Sequence, residues 1–380
     1  MLPYSILKRI SPKTRYLVRY KHSPEHWKWD SIRKGLLGKR KYVAVINNYG
    51  DSEETMSNLE HMGAINMRTL FNLEKGYIQE ELEKNKRKED FIPESSHYRL
   101  YDNESQSGFK VEKEYDLHFP ENLNIYCYEG DSESDFDSPK RGSTGVFNYY
   151  LMDGGSTLPV LALGLKPGHK VLDMCASPGG KSLLAIQTLY PDCVVSNDVS
   201  NSRLNRIQNV FDQFLYDFDE KWLKKERVKL TNIDGRCIME DNFDRILVDV
   251  PCTTDRHSLH ENDNNIFKPS RIKERLQLPE LQRELLFHAL KLVKKGGVVV
   301  YSTCSLSPIQ NDGVVHMALR QIWEETNIEI VIKDLTPALI QSRSVFELAD
   351  KKLLKFGHLV LPCLSQNYGP TYFCKLQKIN

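Results

Sequence analysis

The sequence predicts an α/β fold: an open, mostly parallel sheet covered by helices on both faces, preceded by a smaller N-terminal region. Three observations predict it. From Gly142 onward, short apolar runs alternate with segments of helical period, the pattern of strands joined by crossover helices. The polar motifs of that part all fall at the carboxyl ends of the apolar runs, where open sheets bind ligands. The chain has 380 residues, 40% hydrophobic and 27% charged, values of an ordinary globular protein and long enough for one large domain with an appendage.

The N-terminal region, residues 25–141, is weakly patterned. Trp27, Trp29, Ile32, Leu36 and Leu37 sit at helical spacing and predict a short amphipathic helix. Between Glu74 and Asp137 the chain is acidic, rich in Tyr, Ser and Asn, and carries a charged run at 83–90. That stretch reads as a mobile insertion or solvated face rather than a dedicated binding surface.

In the second part, 142–380, Lys170 to Ala176 (KVLDMCA) reads as a buried strand and Lys181 to Leu189 as a helix. Cys193 to Asp198 is a second strand. Leu204, Ile207, Val210, Phe211 and Phe214 then mark one face of a helix over 202–214. Val228 to Asn232 is a third strand and Phe243 to Val250 (FDRILVDV) a fully buried fourth. Leu281, Leu285, Leu286, Ala289, Leu292 and Val293 line a helix expected to stop at Gly296 and Gly297, where left-handed geometry ends helices. Val298 to Tyr301 is a fifth strand, and two more are expected near 357–363 and 371–377.

Charge is distributed unevenly. Residues 1–50 hold 12 basic and 2 acidic side chains, a net +10; residues 51–140 hold 10 and 22, a net −12; the rest carries +3. The first 24 residues have six Lys or Arg, three Ser and no acid, the composition of a mitochondrial transit peptide. A retained basic arm that touches nucleic acid is the alternative. No apolar run approaches the ~18 residues of a membrane span. Eight scattered cysteines with no CxxC pair predict neither a metal site nor a disulfide framework, and fit a reducing compartment.

Asp173 to Ser182 (DMCASPGGKS) is a strand, a Gly turn and a helix start. Gly179 and Gly180 allow close backbone approach, and the helix N-terminus favours polar groups. A phosphate-binding loop needs glycine five residues before Gly180, and Cys175 stands there; GxGxxG is absent too. Asp198, about 20 residues beyond the turn, is where an acid holds a ribose diol. A nucleoside without pyrophosphate suits S-adenosylmethionine. Asp249-Val-Pro-Cys252 ends the fourth strand and Ser302-Thr-Cys304-Ser ends the fifth, setting two cysteines and a carboxylate beside that pocket. A lone buried cysteine is usually a small hydrophobe; two at neighbouring strand ends argue for chemistry.

The run from Asn148 to Lys181, the DVPC and STCS motifs, and the stretches DVPCTTDRHSLHENDNNIFK, VVVYSTCSLSPIQN and YGPTYFCKL resemble the Nop/Sun family of RNA cytosine-5 methyltransferases, specifically its mitochondrial ribosomal RNA branch. The resemblance is close from Gly142 to the C-terminus and faint at 40–49. Met174, Ser177, Gly154 and Gly155 depart from the commoner residues without removing a reactive group. It implies a Rossmann-like class I methyltransferase with a mixed seven-stranded sheet, an S-adenosylmethionine cofactor, a cytidine of mitochondrial small-subunit ribosomal RNA as target, and the mitochondrial matrix as location.

Cytosine C5 becomes nucleophilic only after a thiolate adds at C6, so the reaction needs a cysteine, a carboxyl group to stabilise the adduct, and a base to take the C5 proton. The residues alone do not assign the two thiols. The resemblance implies that Cys304 attacks, that Cys252 assists release and that Asp249 stabilises the adduct; the reverse assignment of the thiols stays open. It also implies Gly179, Gly180 and Lys181 around the cofactor's methionine part, Lys181 orienting Asp249 or the cofactor, Asp198 on the ribose with Arg203 nearby, and Asp234 and Gly235 at the adenine. The basic stretch after Cys252 makes Arg256, His257, Lys268, Arg271 and Lys273 the expected RNA contacts; no metal ligands are expected. A nearly neutral body attracts phosphates weakly. Recruitment by a partner is therefore expected, and the resemblance implies a helical-repeat protein of the mitochondrial termination-factor family acting at the mitoribosome. Two other functions remain open: a non-catalytic ribosome assembly factor, and a mitochondrial transfer RNA methyltransferase.

Overall fold

A computed structural model of the chain describes residues 29–86, 109–130 and 132–380. The expected transit segment and residues 87–90 of the charged run lie outside them. The predicted first helix is α1 (Trp29–Leu37), with Trp29, Ile32 and Leu36 buried. It leads to β1 (Val43–Ile46), α2 (Ser52–His61), β2 (Ile65–Asn66) and α3 (Met67–Lys86). β3 (Lys110–Lys113), β4 (Ile125–Cys127) and β5 (Tyr149–Met152) follow. Strands β2, β4, β1 and β5 form, in that order, a small antiparallel sheet. Both faces of β1 are covered. Val43 and Val45 pack into the core shared with the larger sheet, while Ala44 and Ile46 meet Leu59, Tyr126 and Tyr149. This shared core fixes the small sheet against the catalytic part.

The catalytic part runs through α4 (Thr157–Ala162), β6 (Lys170–Asp173), α5 (Gly180–Gln187), β7 (Cys193–Asn197), α6 (Asn201–Phe214), β8 (Val228–Thr231) and β9 (Phe243–Asp249). It continues with α7 (Asp255–His260), α8 (Ile272–Leu292), β10 (Val293–Thr303), α9 (Asp312–Glu325), β11 (Ile330–Asp334), β12 (His358–Val360) and β13 (Thr371–Lys378). Strands β8, β7, β6, β9 and β10 are mutually parallel. β13 lies antiparallel between β10 and β11. This is the Rossmann-like arrangement with a reversed strand that the sequence predicts. Parallel strands covered on both faces read as unbroken apolar runs, which is why Phe243–Asp249 and Val298–Tyr301 were legible.

The sheet has nine strands rather than seven. The two additions are β11, and β3 from the acidic segment, which pairs parallel to β11 at the sheet edge. β3 (KVEK) is mostly exposed and lacks an apolar run to announce it. The long helix also ends earlier than expected. α8 stops at Leu292 because Val293 already pairs with Phe243, and Gly296, with φ +74°, sits in the irregularity before Val298 resumes the ladder. The order reverses between β6 and β9, whose successors β7 and β10 lie on opposite sides. The crevice beyond those carboxyl ends is where such sheets bind ligands.

Candidate active site

A cleft of about 520 Å³ opens at this crevice. Its walls bring together Gly180, Lys181, Asp198, Arg203, Asp249, Cys252, Arg256, His257 and Cys304, nine of the residues singled out from the sequence. The segment leading into β1 contributes Arg40 and Tyr42, β5 contributes Tyr150, and Gly369 to Thr371 close the rim.

The two thiols meet because β9 and β10 run parallel with Asp249 opposite Ser302. Cys252 and Cys304, just past those ends, lie with Sγ atoms 3.1 Å apart, and the Cys304 amide points at the Cys252 sulfur at 3.3 Å. The hydrogen bond Cys304 makes to the Cys252 sulfur, burial and the nearby Asp249 hold the Cys304 thiol well above the usual range, with Lys181 opposing them. Lys181 donates to Asp249 Oδ2 at 2.7 Å, and the Ser302 hydroxyl donates to Asp249 Oδ1 at 2.7 Å. Burial disfavours the lysine's charge, yet Asp249 more than compensates and leaves it above its ordinary value. The cation stays protonated and the carboxylate is fixed on both oxygens, facing the thiols.

A buried carboxylate sets the thiol loops against each other. Asp255, fully buried, accepts from the Leu306 amide at 2.7 Å and the Thr253 hydroxyl at 2.5 Å, while its own amide donates to the Cys304 carbonyl at 3.2 Å. Thr253 in turn bonds Ser305 at 2.7 Å. Neither Ser302 nor Asp255 was singled out from the sequence. Ser302 had a signal, since it stands within the STCS motif two residues before the thiol; Asp255 had none beyond its place three residues after Cys252.

The cofactor end is built on the Pro178-Gly179-Gly180 turn. Gly179 has φ +107°, which side-chain-bearing residues rarely adopt. Gly180 lies under the Tyr150 ring, where an added Cβ would sit 2.8 Å from Cε1. Asp198 is buried, and its Oδ1 accepts from the Ser200 amide at 2.9 Å. Its other oxygen has no partner among the described residues and faces the demands of a ribose diol. Asp173, at the end of β6, accepts from Ser182 at 2.7 Å on one oxygen while the other is buried without a partner. Burial raises this carboxyl to about 7, against the pull of Ser182. A backbone cradle, an open carboxylate and no ring of phosphate-binding amides suit a nucleoside with a cationic tail, as S-adenosylmethionine is.

Other expected contacts lie elsewhere. Asp234 and Gly235 are outside the cleft lining. Arg236 grips the Asp234 carboxylate at 2.7 Å and is itself held by Glu284 at 2.6 Å, while Gly235 packs against Met174 and Leu285. Arg256, expected to meet RNA, is 4% exposed. Its guanidinium donates to the Gly369 carbonyl at 2.7 Å, the Gly35 carbonyl at 3.0 Å and Asn367 Oδ1 at 2.7 Å, so it braces the Cys252 loop against α1 and the C-terminal rim. Arg271 holds the Asn264 carbonyl at 2.7 Å and pairs with Glu274. Lys268, Lys273 and His257 are exposed, and of these only His257 reaches the cleft. Among the described residues no cluster suited to a metal ion occurs, and no helix is long and apolar enough to cross a membrane.

The family model described as 16S rRNA methyltransferase RsmB/F matches residues 160–349. A Mus musculus protein described as 5-cytosine rRNA methyltransferase NSUN4 is 40% identical over 355 residues, covering 92% of this chain and 84% of that protein. Its Caenorhabditis elegans counterpart is 32% identical over 420 residues, covering 93% and 88%. Among solved structures, a methyltransferase homologue from Pyrococcus horikoshii has a TM-score of 0.59 at 19% identity, covering 97% of this chain and 100% of that one; it supports the fold. With the paired thiols and the nucleoside cleft, these matches make the chain a member of the RsmB/F family, the Nop/Sun group of S-adenosylmethionine-dependent RNA cytosine-5 methyltransferases.

Proposed function

We propose that this enzyme methylates C5 of a cytidine in mitochondrial small-subunit ribosomal RNA, in the mitochondrial matrix, through a covalent bond between Cys304 and C6. The observation that carries the mechanism is the constellation of two thiols 3.1 Å apart beside the Lys181–Asp249 pair. The substrate class is supported by the relatives, since the Mus musculus and Bos taurus proteins that match over 92% of this chain bear the description 5-cytosine rRNA methyltransferase, and the compartment by the family resemblance and the basic, acid-free first 24 residues. A mitochondrial tRNA (cytosine(34)-C(5))-methyltransferase of Mus musculus matches less of it, 69%, at 32% identity.

The assignment of the two thiols rests on the family resemblance, and their common place beside Asp249 supports the chemistry. Cys304 gives up its thiol proton to a base in the cleft, its sulfur forms a bond to C6, and the electron pair displaced from the ring makes C5 nucleophilic. S-adenosylmethionine supplies the methyl group as an electrophile. Asp249, held by Lys181 and Ser302, accepts from the 4-amino group of the base, and the Lys181 ammonium beside it offsets the negative charge that builds on the ring. A base in the cleft then takes the C5 proton, the C–H electron pair restores the C5–C6 double bond, the C6–S bond breaks, and Cys304 leaves as thiolate. Cys252 lies at the same sulfur and assists this release. In the resting cleft Cys304 is held as the neutral thiol, which keeps it from reacting with stray electrophiles until substrate arrives.

Recruitment by a helical-repeat partner of the mitochondrial termination-factor family, with a contribution to mitoribosome assembly, belongs to the same reading. It is supported by the family resemblance and by the nearly neutral charge of the chain. Bisulfite sequencing of total RNA from cells lacking the protein tests the whole. One protected cytidine in mitochondrial small-subunit RNA is lost, and is restored by the wild type but not by Cys304→Ala. Restoration of the mark by Cys304→Ala refutes the covalent mechanism. Restored ribosome assembly without the mark makes scaffolding the essential activity.

A further inference from the structure

The target base must leave its stack to reach the thiols, and its neighbour then loses a stacking partner. Two tyrosines line the cleft. Tyr150 is committed: it covers Gly180 and packs edge-on against Phe214, with ring centroids 5.3 Å apart. Tyr42 is not. Its side chain is 43% exposed, its hydroxyl has no hydrogen-bond partner among the described residues, and the one group over its ring is the Arg40 guanidinium, 5.9 Å from the centroid.

The guanidiniums at the same opening are also under-used. Arg40 has one ion pair, to Asp153 at 3.8 Å, too long for a hydrogen bond. Arg206 lines the cleft from α6, is exposed, and has neither an ion pair nor a hydrogen bond among the described residues. By contrast, Arg256, which also lines the cleft, spends its donors on protein acceptors. A free aromatic face flanked by unspent forks of N–H donors is the chemistry of a single-stranded nucleotide site.

We infer that Tyr42, Arg40 and Arg206 bind the nucleotide beside the target cytidine, the tyrosine ring stacking on its base and the two arginines taking phosphates. This inference rests on the RNA-methylating reading above and gives the N-terminal segment between α1 and β1 a part in substrate recognition. Neither Tyr42 nor Arg206 is within the expected RNA loop after Cys252.

The test measures equilibrium binding of the full chain to a single-stranded RNA with a central cytidine, and to the same RNA with an abasic site on either side of it. Tyr42→Ala weakens binding by roughly 5- to 100-fold, and Tyr42→Phe, which keeps the ring, does not. On the RNA abasic at the stacked position, Tyr42→Ala and wild type bind alike, a coupling that a merely structural tyrosine would not produce. Arg40→Ala and Arg206→Ala each lower the slope of log affinity against log salt by about 0.7. Affinity for S-adenosylmethionine checks that each variant keeps its cleft. The inference is overturned if Tyr42→Ala binds within twofold of wild type, if its loss is equal on all three RNAs, or if the wild type binds none of them. A wild type that binds RNA and deposits no 5-methylcytidine refutes the proposed function, while the affinities still decide this site.

Discussion

Arg256 separates two readings of the basic stretch after Cys252. As a phosphate contact, it could be replaced by lysine with modest loss, and its removal would leave the fold intact. As the brace seen here, it makes three hydrogen bonds of 2.7–3.0 Å from a buried charge to acceptors on two segments, α1 and the stretch 367–369. Each such bond contributes about 1.5–3 kcal/mol, and the Gly369 carbonyl is among the acceptors that lose their donor. Because the three share one side chain and partly compensate, Arg256→Met is expected to cost about 3–5 kcal/mol in total. At about 2 °C per kcal/mol for a chain of this size, the melting temperature falls by about 6–10 °C. Arg256→Lys recovers little, since one ammonium cannot span the fork's three acceptors. Thermal unfolding followed by circular dichroism, with RNA affinity measured across salt concentrations, distinguishes the readings. A melting temperature within 1 °C of wild type, with a salt slope lowered by about 0.7, would refute the brace and restore Arg256 to the RNA interface.

Three further outcomes follow from the site and its surroundings. Cys304→Ala abolishes turnover, whereas Cys252→Ala accumulates a covalent protein and RNA adduct seen as a gel shift; an adduct with Cys304→Ala instead reverses the two roles. Labelling of Cys304 by iodoacetamide in the cofactor-free enzyme rises only above the ordinary thiol value of 9.0, and Lys181→Met moves the rise higher still, because Lys181 opposes the upward shift; full labelling near neutral pH contradicts this. His358 is 6% exposed, accepts from the Leu335 amide at 3.1 Å, and is pushed by burial down to about 3. The unfolded chain therefore takes up this proton first, near pH 6.5, so stability is intact above that value. It falls by up to about 1.4 kcal/mol per pH unit toward pH 3. Urea unfolding at stepped pH should show His358→Gln flattening that acid limb, and an unchanged slope would remove His358 as its source.

The legible parts of the chain were those where one physical demand dominates. Strands buried on both faces carry near-continuous apolar runs, so Ile246–Val248 announced the strand Phe243–Asp249, and the DVPC and STCS motifs at strand ends carried reactive groups that packing does not require. Less legible were features set by neighbours distant in sequence. β3 is a polar edge strand whose place depends on β11, more than 200 residues later. Arg256 looked like its basic neighbours because nothing local reveals that Gly35, Asn367 and Gly369 converge on it. Nothing local to Asp234 reveals that Arg236 and Glu284 form an ion-pair chain with it. Tyr42 reaches the cleft from the N-terminal segment before β1, so no spacing within the catalytic motifs could point to it.

The pairing of Asp249 with Ser302 across β9 and β10 gives the reactive pair an all-or-none character. Each step along a strand is about 3.3 Å and turns a side chain to the opposite face, a longer stride than the 3.1 Å between the sulfurs. If the two strands zipped one residue out of phase, the thiols would part company and no rotamer could reunite them. Half-assembled chains thus carry no half-active centre. The reactive sulfurs are armed only once the sheet has closed in step, which makes correct folding itself the safety catch on a nucleophile that must touch nothing but its intended base.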